Sequence, residues 1–213
     1  MSTYMHVIQF FKSFFFNGAL LIMLTLPLVL VFKTEPLTQE EVLWLYDISH
    51  ITIFLVMLVR PLADIFIRVK WIRPLVTLRK GVGVLSAAIV VSFIFSKIII
   101  DAEGYFGAML TPAYWSLTHY ALIAHLADIS AVILLITSNK LSKTLLGAGW
   151  KRVQKLSYVF FYASSLYVYL TYGSFNLLMA MGVITAVTLL AYILNKRRAQ
   201  NIINAPTPSI QTT

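Results

Sequence analysis

Cysteine is absent from all 213 residues, which excludes disulfides, thiolate metal ligands and iron–sulfur clusters. His, carboxylate and carbonyl groups remain as ligand types. Charge is scarce at 12%, and acid is scarcer than base, with eight Asp and Glu against seventeen Lys and Arg. No Gly-rich phosphate loop or nucleotide motif occurs, so flavin or nicotinamide chemistry would have to come from a partner or a diffusible molecule. There is no internal repeat strong enough to argue from. What abounds is apolar: 59% of residues are hydrophobic and the mean hydropathy is +0.82, more than a water-soluble fold of this length can hide.

Apolar runs fall at roughly 13–32, 42–60, 81–100, 116–138, 156–173 and 175–194. At 1.5 Å per residue each is long enough, as a helix, to cross a hydrocarbon core of roughly 30 Å. The predicted fold is therefore all-α: an integral membrane bundle of six transmembrane helices over residues 1–198, followed by a flexible polar tail over 199–213. Lys12 precedes the first run as it would in a secretory signal, but the run is too long and no small-residue cleavage pattern precedes Lys33. It reads as an anchor helix that stays. Pro27 inside it is tolerable where neighbours satisfy the freed carbonyl.

Basic residues set the expected orientation, because short translocated loops are poor in Lys and Arg. Fifteen of the seventeen fall on one side when the loops alternate, including Arg60 to Lys80, Lys140 to Lys155 and Lys196 to Arg198. That side is expected to be cytoplasmic and to hold both termini. The opposite connections carry Glu35, Glu40, Glu41, Asp101 and Glu103, with Lys33 and Lys97 as the nearby bases. A multi-pass protein of the cell's inner, cytoplasmic membrane follows as the expectation. The net charge of +9 then belongs to the inner membrane face, beside anionic headgroups, and requires no nucleic acid.

Ionisable groups inside spans are costly, and few are present. Asp47 and His50 stand three apart in the second run, and His125 and Asp128 three apart in the fourth. Each pair is expected to share a helix face, at similar depth in the outer half of the bilayer. If the two helices are neighbours, the four groups can hold a divalent metal, carry haem through His50 and His125, or relay protons. The plainer reading is two local Asp–His pairs that orient the helices. His119 beside Tyr114 and Trp115 suits an interfacial belt, His6 a solvated terminus, and Lys97 a side chain that snorkels to headgroups. The aromatics Phe160, Phe161, Tyr162, Tyr167, Tyr169 and Tyr172 read as packing.

The stretches Trp71-Ile72-Arg73 and Leu78-Arg79-Lys80-Gly81-Val82-Gly83-Val84 carry a resemblance, as do Arg60-Pro61-Leu62, Pro112-Ala113-Tyr114, Tyr120 and Thr137-Ser138-Asn139. It is clearest in Leu146-Gly147 followed by Gly149-Trp150-Lys151-Arg152-Val153-Gln154-Lys155-Leu156. Across about residues 42 to 198 the chain resembles the haem-binding membrane subunit of the bacterial periplasmic methionine sulfoxide reductase system, within the ferric-reductase-like transmembrane superfamily. The resemblance implies b-type haem held by His on the third and fifth helices, and electron transfer from cytoplasmic or quinone donors to a periplasmic enzyme. At the corresponding positions this sequence has Phe93, Ser157 and Leu170. None can ligate haem iron as imidazole does. Haem b would require relocated ligands, with His50 and His125 as the candidates and their Asp neighbours orienting the rings.

Two functions follow as expectations. One is a membrane subunit of ferric-reductase-like descent serving transmembrane electron transfer in a larger complex; the other is a haem-free accessory or assembly subunit. A small proton or cation transporter is a further alternative. The expected partners are the lipid bilayer and other membrane or periplasmic subunits. Without a nucleophile, an acid–base pair in a cleft or a nucleotide site, the chain is not expected to be catalytic by itself.

Overall fold

The computed structural model describes residues 2–33, 38–117 and 120–203. Among these residues there is no strand. The helices are α1 (Ser2–Phe32), α2 (Gln39–Ile65), α3 (Ile72–Leu75), α4 (Arg79–Ile100), α5 (Ala102–Met109), α6 (Ala121–Ile136), α7 (Lys140–Leu146), α8 (Trp150–Val153), α9 (Leu156–Tyr172) and α10 (Phe175–Ile203). Each of the six apolar runs contains an α-helix among the described residues.

Four of these, α1, α2, α4 and α10, are long and apolar enough to cross a membrane. A fifth appears if α6 and the segment Lys140–Val153 count as one span bent by 98°. With 16 and 17 residues, α6 and α9 cover only about 24 and 26 Å, short of a typical hydrocarbon core.

The helix ends have identifiable causes. Thr38 and Glu41 form a capping box at the start of α2, and Lys33 pairs with the same Glu41 carboxylate at 2.7 Å. At the end of α6 the Trp150 indole N–H donates to the Thr137 carbonyl at 2.9 Å, while Asn139 caps α7 by accepting from the Ser142 amide. These bonds hold the sharp bend. Gly173 takes φ +70° after α9 and donates its N–H to the Tyr169 carbonyl, so α10 begins almost at once.

α2, α4, α6, α9 and α10 pack as a closed ring, and α1 lies outside it against α4. The ring's interior holds Ile53 and Met57 of α2, Ala87 and Val91 of α4, Ala131 of α6, Phe160 and Phe161 of α9, and Ile184 of α10, all buried. Where α2 crosses α4, the buried Ser49 and Ser86 hydroxyls lie 3.0 Å apart, and Ser86 Oγ donates to the Ser49 carbonyl at 2.9 Å. Small residues allow that close approach, and their hydroxyls then bond across it.

Two boundaries differ from the sequence expectation. α1 begins at Ser2, eleven residues before the first apolar run, because the segment ahead of Lys12 is itself rich in helix-compatible apolar residues. α10 continues to Ile203, so the first part of the expected tail is helical. The cause is tertiary. The Arg198 guanidinium donates to the Asp64 carbonyl at 2.6 Å and the Ile65 carbonyl at 3.2 Å, supplying donors and positive charge to the C-terminal end of α2. The rest of the expected tail, residues 204–213, lies outside the described residues, as do His119 and Glu35.

Candidate functional site

α2 packs on α4, α9 and α10, whereas α6 packs on α4 and α9. The second and fourth apolar helices are therefore separated by α4 on one side and α9 on the other. This decides the fate of the four ionisable groups.

His50 is buried, at 3% exposure, with Nδ1 2.7 Å from the Tyr46 carbonyl one turn earlier. Its ring lies against the Ser164 backbone of α9, yet Nε2 closes no hydrogen bond among the described residues. When Nδ1 carries the proton and donates to Tyr46, Nε2 is left as a buried, unpaired lone pair. Asp47, expected to share the buried face, is exposed. Three residues advance a helix by about 300°, leaving a side chain about 60° from its partner, enough to carry Asp47 off the buried stripe.

His125 sits elsewhere. Its ring stacks face to face on Tyr114, with centroids 3.5 Å apart and planes 7° from parallel, and Trp115 meets it edge-on at 5.8 Å. Together with Asp128 it lines a pocket of about 250 Å³ between α4, α5, α6 and the turn Pro112–Trp115, whose other walls include Ile94, Tyr105, Phe106 and Ile129. Burial pushes the Tyr105 and Tyr114 phenols up, so both remain neutral hydroxyls there. Lys97, exposed at the same end of α4, acts on both His125 and Asp128 without an ion-pair contact. The pocket suits a small apolar group with one polar end.

Neither expected Asp–His pair forms. Lys33–Glu41 is the ion pair found among the described residues, so Asp47–His50 and His125–Asp128 both exceed 4.0 Å. No three of His, Asp and Glu among the described residues stand where one metal ion could be held. The structure thus brings His125 and Asp128 to one pocket and keeps His50 in another neighbourhood, with Asp47 at the surface.

The three positions that the sequence reading set against haem ligands are engaged otherwise. Phe93 stacks on Tyr46 at 5.4 Å, Ser157 donates to the Gln154 carbonyl at 2.9 Å, and Leu170 is half-buried. The fully buried Phe160 and Phe161 fill the ring interior. These residues do not fit a macrocycle between α4 and α9. The sequence resemblance marked the positions; only packing reveals the Tyr46–Phe93 stack.

The chain is an all-helical, multi-pass membrane protein on the length and apolarity of its helices. No protein-family model, no curated protein and no solved structure matches it.

Proposed function

We propose that the chain is a six-span membrane subunit of ferric-reductase-like type, with both termini in the cytoplasm, that serves a larger membrane complex as a haem-free accessory subunit. One observation carries this reading: the three positions where the resembled family ligates haem hold Phe93, Ser157 and Leu170, and the surrounding interior is packed with Phe160 and Phe161. A bundle that has exchanged ligands for packing still offers a rigid scaffold to partner subunits. The two short helices, α6 and α9, complete six spans if the bilayer thins locally around them or their flanking residues reach the headgroups.

The electron-transfer reading has one observation in its favour, the unpaired Nε2 of His50 with Nδ1 fixed on a backbone carbonyl, an arrangement shared with metal-ligating histidines. It lacks an opposing ligand, since His125 is stacked on Tyr114 in a separate pocket. An absorption spectrum of the purified protein, with a reduced-minus-oxidised difference and a pyridine haemochrome assay, decides between the two. The accessory reading expects no haem bands. A b-type difference spectrum that disappears in His50→Ala overturns it.

A further inference from the structure

At the end of the bundle opposite the His125 pocket, α1 and α4 run parallel and come very close at Gly81. A β-carbon there would lie 3.1 Å from the Lys12 carbonyl and 3.3 Å from the Phe15 Cβ. The backbone of α1 is one of those neighbours, so any larger residue at 81 would push the two helices apart by a few tenths of an ångström. Beside the crossing lies a groove of about 390 Å³ lined by Gln9, Lys12, Ser13, Phe16, Lys80 and Gly81. The four α1 residues follow i, i+3, i+4, i+7 spacing and form one face of that helix.

The groove gathers like charge. Lys80 feels Lys12 across the crossing, and Lys140 and Lys143 from α7 as well. Among the described residues, neither Lys12 nor Lys80 has an ion-pair partner. Like charges lining one groove repel one another unless an anion lies between them. Gln9 and Ser13 add neutral donors on the same face, and the exposed Phe16, one turn further along α1 from the lysines, supplies an apolar rim. A phosphate with an attached apolar chain matches every part of this arrangement.

We propose that this groove is a binding site for the phosphate of an anionic phospholipid, with Lys12 and Lys80 clasping the headgroup and Phe16 contacting the start of an acyl chain. Basic pockets between spanning helices at the cytoplasmic surface have the right field for such headgroups. Assignment to the inner leaflet rests on the orientation proposed above, which reporter fusions read independently of lipid binding.

The test is native mass spectrometry of the full chain in detergent, titrated separately with phosphatidylglycerol, phosphatidylcholine and inorganic phosphate. Phosphatidylglycerol is expected to bind in preference to phosphatidylcholine. Replacing Lys12→Gln and Lys80→Gln is expected to weaken that binding by about 5-fold for each lysine. Lys12→Arg with Lys80→Arg should retain it, and Lys33→Gln at the other end of α1 should leave it unchanged. Equal binding of the two lipids, or a double Gln variant that binds phosphatidylglycerol like the parent, overturns the proposal. If inorganic phosphate binds as tightly as the lipid, the ligand is a soluble phosphate and the lipid assignment falls. Retention in the Arg variant also separates loss of charge from loss of fold.

Discussion

Phe93 stacks on Tyr46 with ring centroids 5.4 Å apart and planes 12° from parallel, joining α4 to α2. Phe93→Ala is expected to destabilise the protein by about 2–3 kcal/mol, below the usual cost for a fully buried Phe because Phe93 is half-buried. Thermal unfolding in detergent, followed by tryptophan fluorescence, measures it. An unchanged midpoint would mean that the stack carries no packing energy.

Ser49 and Ser86 bond reciprocally where α2 crosses α4. A double-mutant cycle with Ser49→Ala and Ser86→Ala should give a coupling energy of about 0.6 kcal/mol, the magnitude usual for hydroxyl bonds between spanning helices. Strict additivity would show that each hydroxyl finds its own helix carbonyl instead.

Arg198 ties the far end of α10 to the last carbonyls of α2. Arg198→Gln should cost about 1.5–3 kcal/mol, the range for hydrogen bonds involving a charged group, while the neighbouring Arg197→Gln should cost little. Hydrogen exchange is the informative probe: amides at the end of α10 should lose protection in the first variant and keep it in the second.

Among the described residues, His125 and Tyr114 form the closest ring stack, in the wall of the pocket between α4, α5 and α6. His125→Phe should preserve stability, and His125→Ala should lower it by about 0.5–1.5 kcal/mol, the contribution of an aromatic pair beyond burial. Trp115 emission should shift in the Ala variant as water enters the pocket. A shift of equal size in the Phe variant would point to a polar rather than a stacking role.

For the proposed orientation, cytoplasmic reporter activity is expected for fusions at residues 70, 148 and 200, since fifteen of the seventeen basic residues then share one side. Residue 200 is the most demanding of the three, lying near the end of the long α10. Activity on the opposite side at any of them would refute the six-span arrangement.

The helices themselves were legible in the sequence because a helix in an apolar medium satisfies its backbone within its own segment, so a local run of apolar residues is enough to specify it. The runs beginning at 42, 81, 156 and 175 start within about three residues of α2, α4, α9 and α10, inside the boundary error of pattern reading. Which helices are neighbours was not legible, since it depends on how side chains on several helices interlock. The sequence left open whether His50 and His125 meet; the ring order, with α4 and α9 between α2 and α6, keeps them apart. An i, i+3 spacing suggested that Asp47 is buried with His50, but burial is set by where α4, α9 and α10 touch α2, and Asp47 falls outside that contact. Likewise Lys12 and Lys80 are remote in the chain and unremarkable singly. The close α1–α4 crossing at Gly81 is what puts both on the lining of one groove.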